Sequence, residues 1–411
     1  MNYASSRNIP NQLKVFLVFL LLAHQNMPFI SGPRVSDVFQ VILLVFVFLV
    51  AAHYSLTGIE NKFGVFFLVF AGLHFVHGLT GGGFNLVLTF GFLMRLAIAY
   101  FIIRIVDTDF PKIYVKLLYF FAIMSLAFYI PLLISSYFAD ILFSTYFNFI
   151  RDIEFGETLN YHVFIYVFDN YIYNEIPRNA GIFWEPGAFG VFLNIAILFN
   201  IVLKKKMFIK QNIVFMLLIL TTQSTGAYLS LFTIIISYYL VREIVKFKFV
   251  YLAIFVTIAL TAYTTLPFMQ EKIYGELEYY EDNPTAKHGQ ERITRFQSTA
   301  QDLSFFISNP ITGRGSFNRH FVERDVNTTT SLLKHFGLIG FFFVFSYMYK
   351  SMKNFCVFNN FSEKFALFMI ISIIVITFSQ SMFRKPIFFA FCFMYLMNFK
   401  DYVKNSRTTI H

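Results

Sequence analysis

The chain has 411 residues, 57% hydrophobic and 14% charged, with a formal net charge of +10. A charged share this far below the roughly 25% of soluble domains marks a polytopic membrane protein, and about twelve spans of roughly 20 residues would use nearly all its apolar residues, excluding a large soluble domain. The basic residues lie in short loops between apolar runs, where they orient a protein in a membrane, so no nucleic-acid partner is expected. Cys356 and Cys392 are the only cysteines and neither has a partner at metal-ligand spacing, so no disulfide framework, metal site or cofactor is expected.

The first apolar run, near residues 13–30, begins behind Lys14 and is followed by no small-residue cleavage site, so it reads as a retained span. Further runs lie near 36–54, 63–80, 84–104, 113–139, 186–203, 208–222, 225–241, 247–267, 328–349, 364–380 and 386–399. The prediction is an all-α polytopic fold of twelve transmembrane helices forming a single integral membrane domain over 1–411. The 59 Phe and 24 Tyr suit lipid-facing and interfacial surface and carry no catalytic information. His74 and His77 share a face of the third span, and with no third ligand in sight they read as packing or interfacial residues. With the N-terminus inside, every basic cluster in a short loop except Arg384-Lys385 lies on the same side, as the positive-inside rule requires. Both termini are therefore expected in the cytoplasm, and two long segments, about 140–185 and 268–327, on the outer face. Arg384-Lys385, the exception, reads either as a pair that attracts a lipid diphosphate or as one that binds headgroups, the second being favoured.

The first outer loop carries Asp152, Glu154, Glu157, Asp169 and Glu175 among aromatics, a composition that suits carbohydrate better than a metal cage. It ends in Arg178-Asn179-Ala180-Gly181-Ile182-Phe183-Trp184-Glu185-Pro186-Gly187. Pro186 suits the first turn of a helix, Glu185 would sit at that helix's positive dipole end, and Gly187 removes a side chain where something approaches closely. Trp184, the only tryptophan, reads as an interfacial anchor on its own. The turn Thr221-Thr222-Gln223-Ser224-Thr225-Gly226 falls on the same face, either beside this segment or as a self-satisfied tight turn. In the second outer loop, Arg292, Arg295 and Arg314 are candidates for holding phosphate, because a guanidinium stays charged and its planar fork matches phosphate oxygens. Gly313-Arg314-Gly315 is too short for a nucleotide loop but can present backbone amides to an anion.

Arg178 to Gly187 ahead of one span, with Arg295, Asn309-Pro310 and Gly313-Arg314-Gly315 ahead of another, resemble the Wzy-type polymerases of O-antigen and capsular polysaccharide, relatives of the O-antigen ligases. The similarity extends through Asn327 and Gly337-Leu338-Ile339-Gly340, which looks like the family's Gly-x-x-Gly span after the large loop. The ligases carry a histidine near the end of that loop, and His320 and His335 both match it. The resemblance implies a GT-C-like membrane glycosyltransferase in the bacterial inner membrane, acting on oligosaccharide repeat units carried on undecaprenyl diphosphate. It also implies membrane lipids and a chain-length regulator protein as partners. Such a transfer breaks an anomeric carbon to phosphate bond, so the protein must neutralise the leaving diphosphate and orient an acceptor hydroxyl. On this reading Arg178, Arg295 and Arg292 meet the diphosphate with Arg314 in reserve. Glu185 binds a sugar hydroxyl, pairs with an arginine or acts as base, and Trp184, Gly187, Gly313, Gly315, Asn327, His320 and His335 line the substrate site. Ligase and lipid-linked oligosaccharide flippase are the alternatives.

Overall fold

Residues 186–204 are apolar on every side, and a helix hydrophobic all round has to be enclosed by other helices. The computed structural model describes residues 9–24, 27, 33–80, 85–135, 154–155, 158–159, 161–163, 166–168, 176–241, 257, 295–315, 326–378 and 380–397. Before the long first connection lie α1 (Asn11–Ala23), α2 (Pro33–His53), α3 (Asn61–Leu79), α4 (Leu86–Val106) and α5 (Phe110–Ile134). After it come α6 (Pro186–Lys204), α7 (Lys210–Thr221) and α8 (Thr225–Val241), then α9 (Arg295–Ser308), α10 (Thr328–Phe358), α11 (Phe365–Thr377) and α12 (Pro386–Phe393), the last extended by a 3-10 turn at Met394–Leu396.

Each predicted apolar run except 247–267, of which only residue 257 is described, carries one of these helices. Five stretches are long and apolar enough to cross a membrane: 36–53, 61–79, 86–134, 186–204 and 328–358. The protein is thus a multi-pass helical membrane protein. The third stretch is two helices, α4 and α5, joined at Asp107, whose φ of 54° takes the chain out of the helix before Pro111 opens α5. Lys14 Nζ reaches Asp109 Oδ2 at 2.6 Å and ties α1 to this corner. Helices α1, α7, α8, α11 and α12 are shorter apolar elements.

Helix α6 is the enclosed one: 94% of its span is buried, against 22–50% for the other four stretches. It packs on α5, α7, α8 and α11. Gly190 permits the close approach of α8, since a Cβ there would stand 2.5 Å from the Ala227 methyl. Small residues at a contact bring helix backbones together where there is no water to drive association. Asn194 Nδ2 bridges the same contact, donating to Gly190 O at 2.9 Å and Ala227 O at 3.1 Å. The second group has α4 packed on α1, α2, α3 and α12, and α10 packed on α9, α11 and α12.

The all-helical expectation has one addition. Two antiparallel ribbons stand in the long connection before α6, Glu154–Phe155 with Thr158–Leu159 and Tyr161–Val163 with Tyr166–Phe168. A bridge between Phe168 and Asn179 joins the second ribbon to the approach to α6.

Candidate functional site

The approach to α6 is held by backbone contacts before it presents any charge. Asn179 is buried; its backbone amide donates to Thr221 O at 3.0 Å and its side-chain amide to Ser125 Oγ at 3.2 Å. Its Oδ1 accepts from Gly181 N at 3.0 Å, closing an Asx turn. Gly181 has φ of 56°, and a Cβ would sit 3.0 Å from the Phe189 ring, so the turn requires glycine on both counts. Arg178 Nε donates to Thr222 O at 3.2 Å. The hydroxyl-rich turn therefore lies directly against this segment, with Thr222 and Ser224 both buried.

Glu185 is extended and caps α6 without a side-chain cap bond, with Pro186 in the first turn as the sequence predicts. Trp184 carries the Lys385 ammonium 3.1 Å above its ring, a cation–π contact. Glu185 attracts the same ammonium. Gly187 is the close-approach position its residue type predicts: a Cβ would meet Gln380 Nε2 at 2.5 Å and Ser224 Oγ at 3.6 Å.

The second motif is built around a break in α10. Gly337, with φ of 59° and ψ of −161°, interrupts that helix nine residues after its start at Thr328. A broken helix leaves backbone groups without intrahelical partners, and here the segment 310–315 supplies them. Arg314 N donates to Lys334 O at 2.7 Å and Gly315 N to His335 O at 3.2 Å, while Leu338 N and Ile339 N donate to Pro310 O and Ile311 O at 2.8 and 3.2 Å. Gly313 (φ 76°) makes the approach feasible, because a Cβ would lie 2.6 Å from Gly337 N.

Helix α9 lies on α10 through a buried ion pair. Asp302 Oδ1 meets Lys334 Nζ at 2.7 Å with side chains only 3% and 2% exposed, and Asp302 Oδ2 accepts from Thr330 Oγ1 at 2.8 Å and Ser331 Oγ at 3.2 Å. Asn327 is the N-cap of α10, its Oδ1 accepting from Thr329 N at 2.9 Å and Thr330 N at 3.4 Å. Arg314 stacks its guanidinium 4.1 Å from the Phe305 ring centre, and Arg295 is the half-buried first residue of α9. Arg292 and His320 lie outside the described residues.

His335 is held through both ring nitrogens. Its Nδ1 stands 2.9 Å from Gly315 O, an acceptor, and its Nε2 stands 3.0 Å from an Arg384 nitrogen, a donor only. In these contacts Nδ1 is the donor and Nε2 the acceptor. His77 Nε2 likewise faces Thr312 O at 2.8 Å and must donate to it. His74 packs its ring 5.2 Å from both Phe92 and Phe336, in agreement with a packing role. Among the described residues no cluster of three His, Cys, Asp or Glu fit to hold a metal occurs.

The link 378–385 between α11 and α12 brings the two motifs together. Thr328 Oγ1 donates to Gln380 O at 2.5 Å and accepts from Met382 N at 2.7 Å, while Gln380 abuts Gly187. Lys385 then meets Trp184, and Arg384 meets His335. A third cation comes from inside the bundle: Arg95 on α4 donates through Nε to Gln40 Oε1 at 2.9 Å and through NH1 to Arg384 O at 3.4 Å. Gln40 is fixed by its own bond to Gly91 O at 2.8 Å.

At the far end of the bundle the ammonium groups of Lys62 and Lys350 lie 5.9 and 5.8 Å from the Tyr395 ring. Lys385 precedes Tyr395 by ten residues and Arg95 precedes Arg104 by nine, about 15 and about 13.5 Å of helical rise. Between the two levels the space is filled by rings: Phe63 stacks on Tyr100 at 3.8 Å, Phe66 meets Phe393 at 5.2 Å, and Phe92 meets Phe389 at 5.4 Å.

Of the residues expected at the site, Trp184, Glu185, Gly187, Gly313, Gly315 and His335 gather around the 378–385 link. Arg178 is held on the α7–α8 turn, Arg314 on Phe305, and Arg295 at the head of α9. Sequence reasoning missed Arg95, Gln40 and Gln380, and it left Arg384 and Lys385 between a lipid diphosphate and headgroups without foreseeing their contacts with His335 and Trp184. A signal existed: Arg95 is a lone charge in the middle of an apolar run, and such charges are costly unless they serve a site.

No protein-family model and no curated protein matches this chain. Its fold and site define a class: a multi-pass helical membrane protein in which short helices and one broken helix enclose a cation-rich polar junction.

Proposed function

We propose that the chain is a membrane glycosyltransferase that polymerises oligosaccharide repeat units carried on undecaprenyl diphosphate into O-antigen, capsule or exopolysaccharide. It acts at the outer face of the bacterial inner membrane, with twelve spans and both termini cytoplasmic. One observation carries the reading: the approach to α6 and the 309–315 segment, separate in sequence, meet on one link that adds Arg384 and Lys385. A transfer from a lipid diphosphate needs fixed positive charge where the leaving group develops negative charge and a polar group for the acceptor hydroxyl. The junction offers the first in its cations and the second in Glu185, whose carboxylate is not used to cap α6. No metal is required in such a scheme.

A flippase is the second reading, favoured by the break in α10 and by Arg95 at mid-helix, since broken helices and intramembrane charge mark transporters. The ring layer beneath the junction weighs against it. A carrier has to open to both sides, and the Phe63–Tyr100 and Phe66–Phe393 contacts would have to part to let a headgroup through.

The test is gel analysis of surface glycan in a deletion strain complemented with variants. Glu185→Gln and Arg295→Ala are each expected to abolish long polymer and leave single repeat units, with protein level and insertion unchanged. Normal chain lengths from either variant remove that residue from the mechanism. Bare core with accumulated lipid-linked polymer in the deletion strain would make the protein a ligase, and undecorated units held on the cytoplasmic face would make it a flippase.

A further inference from the structure

We propose that α9 is a membrane-embedded helix whose outward face, formed by Phe296, Ala300, Leu303 and Ile307, rests on the acyl chains of the bilayer. The segment falls in the stretch expected as an outer loop, and its place in lipid does not depend on the enzymatic reading above.

The polarity of α9 is inverted. Its buried residues are Gln297, Ser298 and Asp302, all polar, and Asp302 makes the contact with α10 through Lys334, Thr330 and Ser331. Its large exposed residues are apolar: Phe296, Leu303 and Ile307, the last 74% exposed. Spacings of four, three and four residues put Phe296, Ala300, Leu303 and Ile307 on one face, and Ser298 and Asp302, four apart, on the opposite one. A helix packed on a protein in water buries its apolar stripe and shows its polar side. One that does the reverse meets a medium other than water.

The hydroxyls beside the outward face are turned back onto the helix. Ser304 Oγ donates to Gln301 O at 2.8 Å and Ser308 Oγ to Ser304 O at 3.1 Å. Donors satisfied by the preceding turn need nothing from a surrounding that cannot accept. The two charged residues of α9, Arg295 and Asp302, are half-buried and buried, so neither stands on that face.

The same apolar surface continues onto a span. Past the end of α9, Ile311 is 64% exposed; its carbonyl accepts from Ile339 N, and Pro310 O accepts from Leu338 N. Those bonds set Ile311 beside Leu338, an exposed residue of the long apolar stretch 328–358, and Phe342, exposed too, follows one turn later. Leu338 and Phe342 lie on a helix long and apolar enough to cross a membrane, where exposed side chains meet lipid. The surface joined to them meets it as well. The 14 residues of α9 rise about 21 Å, short of a roughly 30 Å hydrocarbon core. Helix α9 therefore enters one leaflet without crossing.

Spin labels at Leu303→Cys and Ile307→Cys, in full-length protein in phosphatidylcholine nanodiscs, read the medium, because oxygen concentrates among acyl chains and a nickel chelate in water. Leu68→Cys, exposed on α3, is the lipid reference, and Lys364→Cys, exposed between α10 and α11, is the aqueous one. The buried native cysteines stay unlabelled. Oxygen-to-nickel collision ratios at both α9 positions are expected to match Leu68→Cys and to exceed Lys364→Cys several-fold. Ratios equal to those of Lys364→Cys overturn the proposal and return α9 to water. Labels reached by neither reagent overturn it too, since protein then covers the face; line broadening that is lost on dilution with unlabelled protein identifies that cover as a second copy.

If the cysteine variants fail to insert, the wild-type protein decides. In nanodiscs carrying phosphatidylcholine with a diazirine on its acyl chain, illumination is expected to label peptides holding Phe296 to Ile307 together with those holding Leu338 and Phe342, as mapped by mass spectrometry. Labelling confined to the α10 peptides overturns the proposal.

Discussion

Lys334 and Asp302 are nearly sealed from solvent, so each needs the other far more than the protein needs the pair. Two charges in a low-dielectric interior repay their desolvation only through mutual attraction and hydrogen bonds. Thr330 and Ser331 supply those bonds to Asp302. Lys334→Met removes the ammonium that meets the buried Asp302 at 2.7 Å, so it is expected to cost about 3–5 kcal/mol. Asp302→Asn added to Lys334→Met removes the carboxylate charge yet keeps an acceptor for the two hydroxyls, and should recover most of the loss. Thermal unfolding of the purified variants measures this. Additive losses would mean that the pair does not couple α9 to α10. Gly337 is the other residue with no substitute. Its backbone lies where side chains are rarely tolerated, a strain of about 1–3 kcal/mol for another residue, and a Cβ would also collide with Ile311 O.

At the scale of elements, the break in α10 and the segment 310–315 are one unit, since each satisfies the backbone the other exposes. Gly337→Ala should therefore loosen both at once. Hydrogen exchange at Leu338 and Ile339, whose amides donate to Pro310 and Ile311, is expected to rise together with exchange at Arg314 and Gly315, while α6 stays protected. Protection lost at the α10 amides alone would show that the two segments are held independently. The elements also show where sequence reading reaches its limit. Helix positions follow from apolar runs, because spanning a membrane demands them. Pro186 and Gly187 betray a helix start and a close approach through their residue types, whereas Gly313-Arg314-Gly315, expected to present amides to an anion, spends those amides on Asn309 O, Lys334 O and His335 O. What approaches these glycines is a different matter. Gln380 against Gly187 and Gly337 against Gly313 are contacts between segments well over a hundred residues, or about twenty residues, apart, and no local pattern encodes them. The contacts of Arg384 with His335 and of Lys385 with Trp184 were hidden for a related reason: the positive-inside rule counts charges by loop and says nothing of which side chains a loop meets.

For the whole molecule, the distribution of charge makes the strongest demand. Lys62, Lys350 and Lys204 to Lys206 stand at one end of the bundle, and the junction around Arg384 lies toward the other, with a layer of rings between them. Lysine and arginine in short loops stay on the cytoplasmic side during insertion, so the end bearing Lys204 to Lys206 is expected to face the cytoplasm and the Arg178 end to face out. Ile176, just before Arg178, and Phe208, just after Lys206, are both exposed, at 50% and 56%. Native Cys356 and Cys392 are buried, so background labelling of the folded protein should be low. In intact cells a membrane-impermeant maleimide is expected to label Ile176→Cys and to label Phe208→Cys only after permeabilisation. The reverse pattern would place Glu185 and the junction on the cytoplasmic side. It would then remove the outer-face polymerase, because a repeat unit already flipped outward could no longer reach the site.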